Sequence, residues 1–375
     1  MVKIGRYLSL IMVVFIVGFC SSVSAEKTDN VAVISSMPVI LPDPAVAMDW
    51  YDMQVVYNLY STLVYPTPEG TIRPHLAQKW ETVDSKLDHW RFMLRQGVKF
   101  HDGSELTAED VVFSMDRFMT MGKGLSGVLG KVKAIAVDKY VVDFILEKPN
   151  SVFPEILKLF SVLNKDLVLK HIKSGKYGKF GDYGEDWLMT HDAGCGPYVM
   201  VSHIPGERME AARFKEYFLG WENWGPNEEP IERLIFIMET ETSTLMMLLK
   251  SGQLDLEANG AFSRRTLKEI VDRKGIHLNQ TWPQVWTVWI NTKVPPTDDV
   301  HFRRAILYAY DYEAILDEYA PFGAQKTGVY PSTLPGYIDI PPQPRQQNLE
   351  KAKEELALSK YDPAEVKVVF HYCGG

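Results

Sequence analysis

The sequence predicts an α/β protein built from more than one domain. A chain of 375 residues is longer than about 250–300 residues, where single hydrophobic cores stop growing. Apolar and polar residues alternate in some stretches, as in strands, and apolar residues recur every three or four positions in others, as in amphipathic helices. Hydrophobic residues make up 46% of the chain and charged residues 23%, so the composition is that of an ordinary globular protein.

Residues 1–25 are predicted to be a signal peptide and not part of the fold. Lys3 and Arg6 make the start positive, residues 8–19 form an apolar run, and Val23-Ser24-Ala25 is a small-residue cleavage site. The run is too short for a membrane-spanning helix, which needs about 20 residues. We therefore expect the protein to be exported and the leader to be removed.

Removing this leader makes an acidic chain more acidic. The net charge of the whole sequence is −8, and loss of the two cations Lys3 and Arg6 brings it to −10. An acidic chain without a basic cluster is a poor nucleic-acid binder and has no electrostatic membrane anchor. The sequence thus predicts neither a nucleic-acid partner nor attachment to a lipid surface through charge.

The three cysteines leave two questions open. Cys20 suggests a lipoprotein signal with acylation at that residue, although the large Phe19 before it argues against this interpretation. Cys195 and Cys373 remain in the mature chain and an oxidising compartment would allow them to pair. Their spacing alone does not establish that the two Cα atoms lie close enough for a disulfide.

The stretch from residue 74 to residue 118 carries clear local signals. A short amphipathic segment ends at Trp80, and residues 90–95 then alternate between an apolar and a polar face. Asp102-Gly103 supplies a turn. Thr107 lies three residues before Asp110, the spacing of a capping box at the start of a helix. These signals predict strand, turn and capped helix, and none of them is a nucleophile or a metal cage.

Similar patterns predict the other elements. Alternation or apolar runs predict strands at residues 31–37, 134–147 (two strands with a turn at 138–139), 198–202, 231–238 and 365–370. Apolar residues at helical spacing predict helices at residues 45–64, 153–159, 240–250, 302–316 and 348–358. The glycine-rich residues 121–131 are expected to form a mobile loop at the rim of a cleft, and residues 165–183 a solvated surface.

Several of these stretches match one family's pattern. The matching positions are Pro74, Leu76-Ala77, Trp80, Leu94-Arg95, Gly97 to Gly103, Leu106 to Val111, and the turn Gly194-Cys195-Gly196-Pro197-Tyr198. In this order they resemble the extracytoplasmic solute-binding proteins of peptide-type ABC importers (solute-binding protein family 5). Cys195 stands where that family usually has threonine. The resemblance extends over essentially all of residues 31–375.

The resemblance implies a two-lobed periplasmic-binding-protein-like fold with a small inserted α/β domain. It places the first lobe at residues 26–50 and 190–281, the inserted domain at 51–189, and the second lobe at 282–375. Family members continue beyond this length, so the second lobe is expected to be truncated and the chain to be a fragment.

The sequence predicts neither a catalytic site nor a metal-binding site. The nine histidines are scattered, no cysteine pair has zinc spacing, and no serine lies in a nucleophile elbow. His101-Asp102 is interpreted as part of a turn. His191-Asp192 near Cys195 leaves a thiol enzyme as a remote alternative. The expectation is a protein that is not an enzyme and needs no cofactor.

Aromatic residues are the better candidates for ligand contact. The resemblance places a segment formed by Met48, Asp49, Trp50 and Tyr51 beside the bound ligand's backbone, and Trp282, Trp286 and Trp289 where the chain passes between the lobes. For each of these residues, plain packing remains the alternative.

The function that the resemblance implies is ligand capture between two lobes and delivery to the permease subunits of a membrane ABC transporter. Peptides are the expected ligands. An oligosaccharide is the alternative, followed by a nickel complex or an opine, and a secreted hydrolase is a remote alternative. The expected location is the periplasm, and the expected state is a monomer.

Overall fold

The computed structural model describes residues 30–37, 41–67, 70–221, 230–258, 288–319 and 346–369, and single residues at positions 260, 262, 266, 270 and 338. In this part of the chain, no helix has both the length and the apolar character needed to cross a membrane.

The described chain contains both strands and helices. The strands are β1 (Val31–Ser35), β2 (Ser61–Thr62), β3 (Val64–Pro66), β4 (Ile72–Pro74), β5 (Ala77–Thr82), β6 (His89–Leu94), β7 (Val132–Asp138), β8 (Val141–Leu146), β9 (Ser161–Val162), β10 (Tyr198–Ile204), β11 (Arg208–Arg213), β12 (Arg233–Ile237) and β13 (Leu256–Glu257). The helices are α1 (Trp50–Leu59), α2 (Ala108–Met121), α3 (Ser126–Leu129), α4 (Phe153–Ile156), α5 (Lys165–Lys170), α6 (Glu185–Leu188), α7 (Thr242–Ser251), α8 (Val300–Ala309), α9 (Tyr312–Tyr319) and α10 (Leu349–Ala357), and short 3₁₀ turns lie at Leu157–Leu159 and Gly178–Phe180.

Two larger sheets organise these elements. The first has the order β10-β11-β12-β1-β13. In it β1 runs parallel to both β12 and β13, and the β10-β11-β12 half is antiparallel. The second sheet is antiparallel, in the order β5-β6-β8-β7. The pairs β2-β9 and β3-β4 form two small additional sheets.

One hydrophobic core runs through both larger sheets. Trp90, Phe92 and Leu94 on β6 are buried, whereas the residues between them are only partly covered, as the alternation predicts. The cluster that contains them also includes Phe144 of β8 and Phe236 of β12. A second, smaller cluster lies around Leu245 of α7. The proposed division into domains at residues 50, 190 and 282 stays a prediction.

The predicted capped helix is confirmed. The Thr107 N–H donates to Asp110 Oδ2 at 2.9 Å, and α2 follows with Val111, Met115 and Phe118 buried. Gly122 ends the helix in the left-handed conformation (φ 61°), which glycine adopts without steric cost.

The predicted hairpin and the helices near residues 153–159, 240–250 and 348–358 are also present, as β7-β8, α4 with its 3₁₀ turn, α7 and α10. The strands predicted at 31–37, 198–202 and 231–238 correspond to β1, β10 and β12.

Several predicted boundaries are wrong. The helix predicted at 45–64 is only Trp50–Leu59, because Asp49 caps it and two short strands follow it. Residues 121–131 contain α3 and are not simply a loop. The helix predicted at 302–316 is two helices, α8 and α9, with a break at Tyr310.

Two further expectations need correction. Residues 165–183 form more than a solvated surface, because Val168 and Tyr183 are buried in the core. Residues 365–369 form no strand, and Val368 and Val369 are exposed. Alternation alone does not make a strand, because the backbone also needs a partner for its ladder of hydrogen bonds.

Candidate functional site

The segment of residues 48–51, here called the ligand segment, presents large side chains to solvent at the start of α1. Met48 is 68% exposed and Trp50 is 45% exposed. Asp49 is the N-cap, and its Oδ1 accepts the N–H groups of Tyr51 (2.9 Å) and Asp52 (3.0 Å). Contiguous exposed apolar surface marks sites that meet a partner or ligand, whereas single exposed apolar side chains are common on protein surfaces.

A buried carboxylate beneath this segment holds it in place. Asp52 is 2% exposed, and it accepts the N–H groups of Leu41 (2.7 Å) and Met48 (3.2 Å). Both ends of the loop before α1 are therefore fixed on one side chain. Burial raises the pKa of Asp52 above its ordinary value, and the backbone hydrogen bonds oppose that rise.

The carboxyl ends of the parallel strands form a second candidate surface. β1, β12 and β13 are in register at Ser35, Ile237 and Glu257, and ligands of open α/β sheets bind beyond such strand ends. Ser36 follows β1 directly, and its buried hydroxyl has no hydrogen-bond partner among the described residues. A hydroxyl can both donate and accept a hydrogen bond, and Ser36 as a whole is 1% exposed.

Sequence reasoning missed Ser36, although a signal was present. An apolar run ends in Ser35-Ser36, and the polar residues that follow a parallel strand lie at the edge where ligands bind. The chain leaving β1 reaches the ligand segment through Leu41, whose N–H is bound by Asp52. Ser36 and Trp50 therefore lie at the two ends of a single connection from β1 to α1.

The structure brings only part of the predicted set together. Met48, Asp49, Trp50 and Tyr51 form one short segment around the first turn of α1. Trp289 belongs to the separate described stretch 288–319 and is 87% exposed. Trp282 and Trp286 lie outside the described residues. The assignment of these residues to a ligand site stays a prediction.

The groups that could suggest chemistry have structural partners. His101 Nδ1 pairs with Asp192 and its Nε2 lies 3.1 Å from the carbonyl oxygen of Gly196. Asp192 also accepts the N–H groups of Gly194 (3.0 Å) and Met200 (2.8 Å). His101 therefore joins the turn after β6 to the start of β10.

Cys195 is a free, fully buried thiol. Burial raises its pKa to about 12, so the thiol stays protonated at neutral pH. Because the thiolate is the nucleophile, Cys195 is not suited to covalent catalysis. Cys373 lies outside the described residues. Within the part of the chain that the structure covers, no three His, Cys, Asp or Glu side chains are grouped to hold a metal ion.

Comparison with known proteins gives a consistent result. Residues 71–372 match the family described as bacterial extracellular solute-binding proteins, family 5 middle. The chain is 25% identical over 342 residues to the probable D,D-dipeptide-binding periplasmic protein DdpA of Escherichia coli K12, covering 88% of this chain and 62% of DdpA. It thus spans about three-fifths of the length of this relative.

Solved structures show the same fold. The peptide-bound periplasmic binding protein DppA from Helicobacter pylori superposes with a TM-score of 0.70 at 22% identity, over 88% of this chain and 65% of DppA. NikZ from Campylobacter jejuni, in complex with Ni(L-His), superposes with a TM-score of 0.70 at 19% identity, over 88% and 63% of the two chains. These neighbours are two-lobed periplasmic binding proteins, so the predicted α/β fold class is confirmed.

Proposed function

Because the chain belongs to family 5 of the bacterial extracellular solute-binding proteins, we propose that it is the substrate-binding component of an ABC importer. It captures peptides between two lobes and delivers them to the permease subunits in the membrane. The observation that carries this proposal is the ligand segment, where exposed Met48 and Trp50 stand on a backbone fixed by buried Asp52.

The geometry suits binding without chemistry on the ligand. A two-lobed binding protein closes when its ligand makes contacts in the closed state that it does not make in the open state. An ordered segment lowers the conformational cost of those contacts, because its side chains and backbone are already positioned. Relatives of this family are binding proteins, and we extend this property to the present chain.

Peptides are the proposed ligand class. DdpA is named as a dipeptide-binding protein, and DppA was solved with a peptide. A Trp side chain such as the exposed Trp50 can cover a peptide's apolar groups. An oligosaccharide, a nickel complex and an opine are the competing ligands, and a hydrolase is the competing class of protein.

The proposed location is the periplasm, with the protein present as a monomer beside the outer face of the inner membrane. The n-region, apolar run and cleavage site of residues 1–25 support export, and relatives of the family are periplasmic. Trp282, Trp286 and Trp289 stay proposed contacts from the second lobe.

Native mass spectrometry tests the ligand class directly. The full-length protein is collected from its own periplasm without denaturation, and the masses that co-purify with it are compared with those on a Trp50→Ala variant. A ladder of peptide masses that is depleted on the variant is the expected result. Discrete hexose masses or a nickel complex would refute the peptide assignment, and conversion of the bound molecule into smaller products would show an enzyme.

A further inference from the structure

The glycine-rich stretch of residues 121–131 packs against the loop that leads into the ligand segment. Gly124 has a φ of 53°, and a Cβ built on it would lie 2.7 Å from the carbonyl oxygen of Ala47 and 3.0 Å from that of Ala45. Both atoms belong to the backbone, so they cannot move aside as a flexible side chain could. Only glycine fits this contact, on conformational and on steric grounds.

Arg117 makes a second contact with the same loop. Arg117 on α2 donates from Nη1 and Nη2 to the two carboxylate oxygens of Asp43, at 2.7 Å and 2.6 Å. Asp43 in turn accepts the N–H of Ala45 at 3.0 Å. Arg117 Nε donates to the carbonyl oxygen of Tyr183 at 2.8 Å, which fixes the guanidinium itself.

Arg117, Gly124 and Asp52 all contact the same short stretch of backbone or the side chain that binds it. Asp43 holds the loop at its start, Gly124 contacts Ala45 and Ala47, and Asp52 binds the N–H of Met48. Met48 and Trp50 nevertheless remain exposed. The backbone of this loop is thus held by the buried carboxylates of Asp43 and Asp52 and not by burial of Met48 and Trp50.

We infer that Gly124 and Arg117 are positioning residues that set the place of the ligand segment from beneath. The inference rests on the proposed function, because it assumes that Met48 and Trp50 meet a ligand. In this arrangement α2 and the glycine-rich stretch contact the loop that leads into the ligand segment and hold it in place. A displacement of about 1 Å in the groups that contact a ligand is enough to weaken binding.

Comparing Gly124→Ala with Gly127→Ala tests this inference. Gly127 lies in α3 of the same stretch, and a Cβ there would meet no atom within 4 Å, so it is a matched control. Three readouts are taken on each full chain: thermal unfolding, amide hydrogen exchange of residues 41–53 with α2 as internal reference, and affinity for a mixed tripeptide pool by native mass spectrometry.

In Gly124→Ala, the amide hydrogens of residues 41–53 are expected to exchange roughly tenfold faster than in wild type. The exchange rates of α2 should be unchanged. The affinity of Gly124→Ala for the tripeptides should fall roughly tenfold. Gly127→Ala should match wild type in both. A Gly124→Ala protein with wild-type exchange, or with faster exchange and wild-type affinity, would overturn the inference.

Two further comparisons cover the cases in which Gly124→Ala does not fold or wild type binds no tripeptide. If Gly124→Ala does not fold, Arg117→Lys replaces it with the same readouts and the same expected changes, because an ammonium keeps the charge but cannot make the paired hydrogen bonds to Asp43 together with the bond to the Tyr183 carbonyl oxygen. If wild type retains no tripeptide, the proposed peptide function fails. The exchange comparison then still decides whether Gly124 holds the segment.

Discussion

The side chains of Asp43 and Arg117 form an ion pair that is completely shielded from solvent, although 74 residues separate them in sequence. Burial opposes the charged guanidinium, but the Asp43 carboxylate outweighs this effect, and the pKa of Arg117 lies above its ordinary value. Arg117 therefore stays charged, and its contact with Asp43 joins the loop before α1 to α2.

Asp43→Asn should destabilise the fold strongly. The amide keeps the shape of the side chain but leaves the charge of Arg117 buried without a counterion, which costs about 3–5 kcal/mol. Urea unfolding measures the change in the free energy of unfolding. As a control, Lys131→Ala breaks an ion pair with Glu147 in which the lysine is 82% exposed, and it should change stability by less than about 0.5 kcal/mol. Equal effects of the two substitutions would contradict this prediction.

His75 should make the fold less stable in acid. Burial lowers its pKa from 6.5 to about 4. Its Nδ1 lies 3.0 Å from the carbonyl oxygen of Thr62 and its Nε2 lies 3.1 Å from the Tyr217 hydroxyl, contacts that suit a neutral ring. Between these two pH values the unfolded chain binds a proton that the folded chain does not, so stability falls as pH falls.

A pKa lowered from about 6.5 to about 4 corresponds to about 3 kcal/mol. This contribution is fully present above pH 6.5 and is lost progressively towards pH 4. His75→Gln should lower stability at neutral pH and flatten its pH dependence in this window. Urea unfolding of both proteins at several pH values isolates the effect, because all other groups titrate in both. Parallel pH profiles would show that His75 is not responsible.

Local patterns were enough to predict the elements whose signals are local. The alternation of Trp90, Phe92 and Leu94 and the capping box of Thr107 with Asp110 both lie within a few residues, and both are present. The start of α1 also had such a signal, since Asp49 is a good N-cap. The apolar residues before it, Ala45 to Ala47, extended the prediction into a loop that is fixed by distant groups.

The contacts that hold the candidate site in place could not be predicted from local patterns. Arg117 meets Asp43, and Gly124 meets Ala47, only because the fold brings distant parts of the chain together. One sequence carries no signal for such pairings, since a buried arginine and a surface arginine look alike in it. The exposed residues of the ligand segment were accessible only through a resemblance to a family.

Trp50→Ala should weaken ligand binding without unfolding the protein. Trp50 is 45% exposed, so its truncation loses little packing, whereas an aromatic anchor in a binding site is worth about 2 kcal/mol or more. Calorimetric titration with a peptide that wild type binds measures the affinity. Val201→Ala, which truncates an apolar side chain that is 56% exposed on β10, is the control and should bind as wild type does. Unchanged affinity in a stable Trp50→Ala protein would remove this residue from the site.

Gly196→Ala should destabilise the turn that leads into β10. A Cβ at this position would lie 2.5 Å from the carbonyl carbon of Leu59 and 2.6 Å from the carbonyl oxygen of Asn58, so the end of α1 must move. The Gly196 N–H also donates to the carbonyl oxygen of Leu59 at 3.0 Å, and any shift weakens this bond. We expect a loss of about 1–3 kcal/mol in the free energy of unfolding.

Gly127→Ala is the matched comparison for that measurement. A Cβ at Gly127 meets no atom within 4 Å, and alanine favours a helix over glycine by about 0.5–1 kcal/mol, so this variant should be at least as stable as wild type. Urea unfolding of the two variants separates steric crowding from the general effect of replacing glycine. If both variants lost stability equally, the close approach of α1 to this turn would not be the cause.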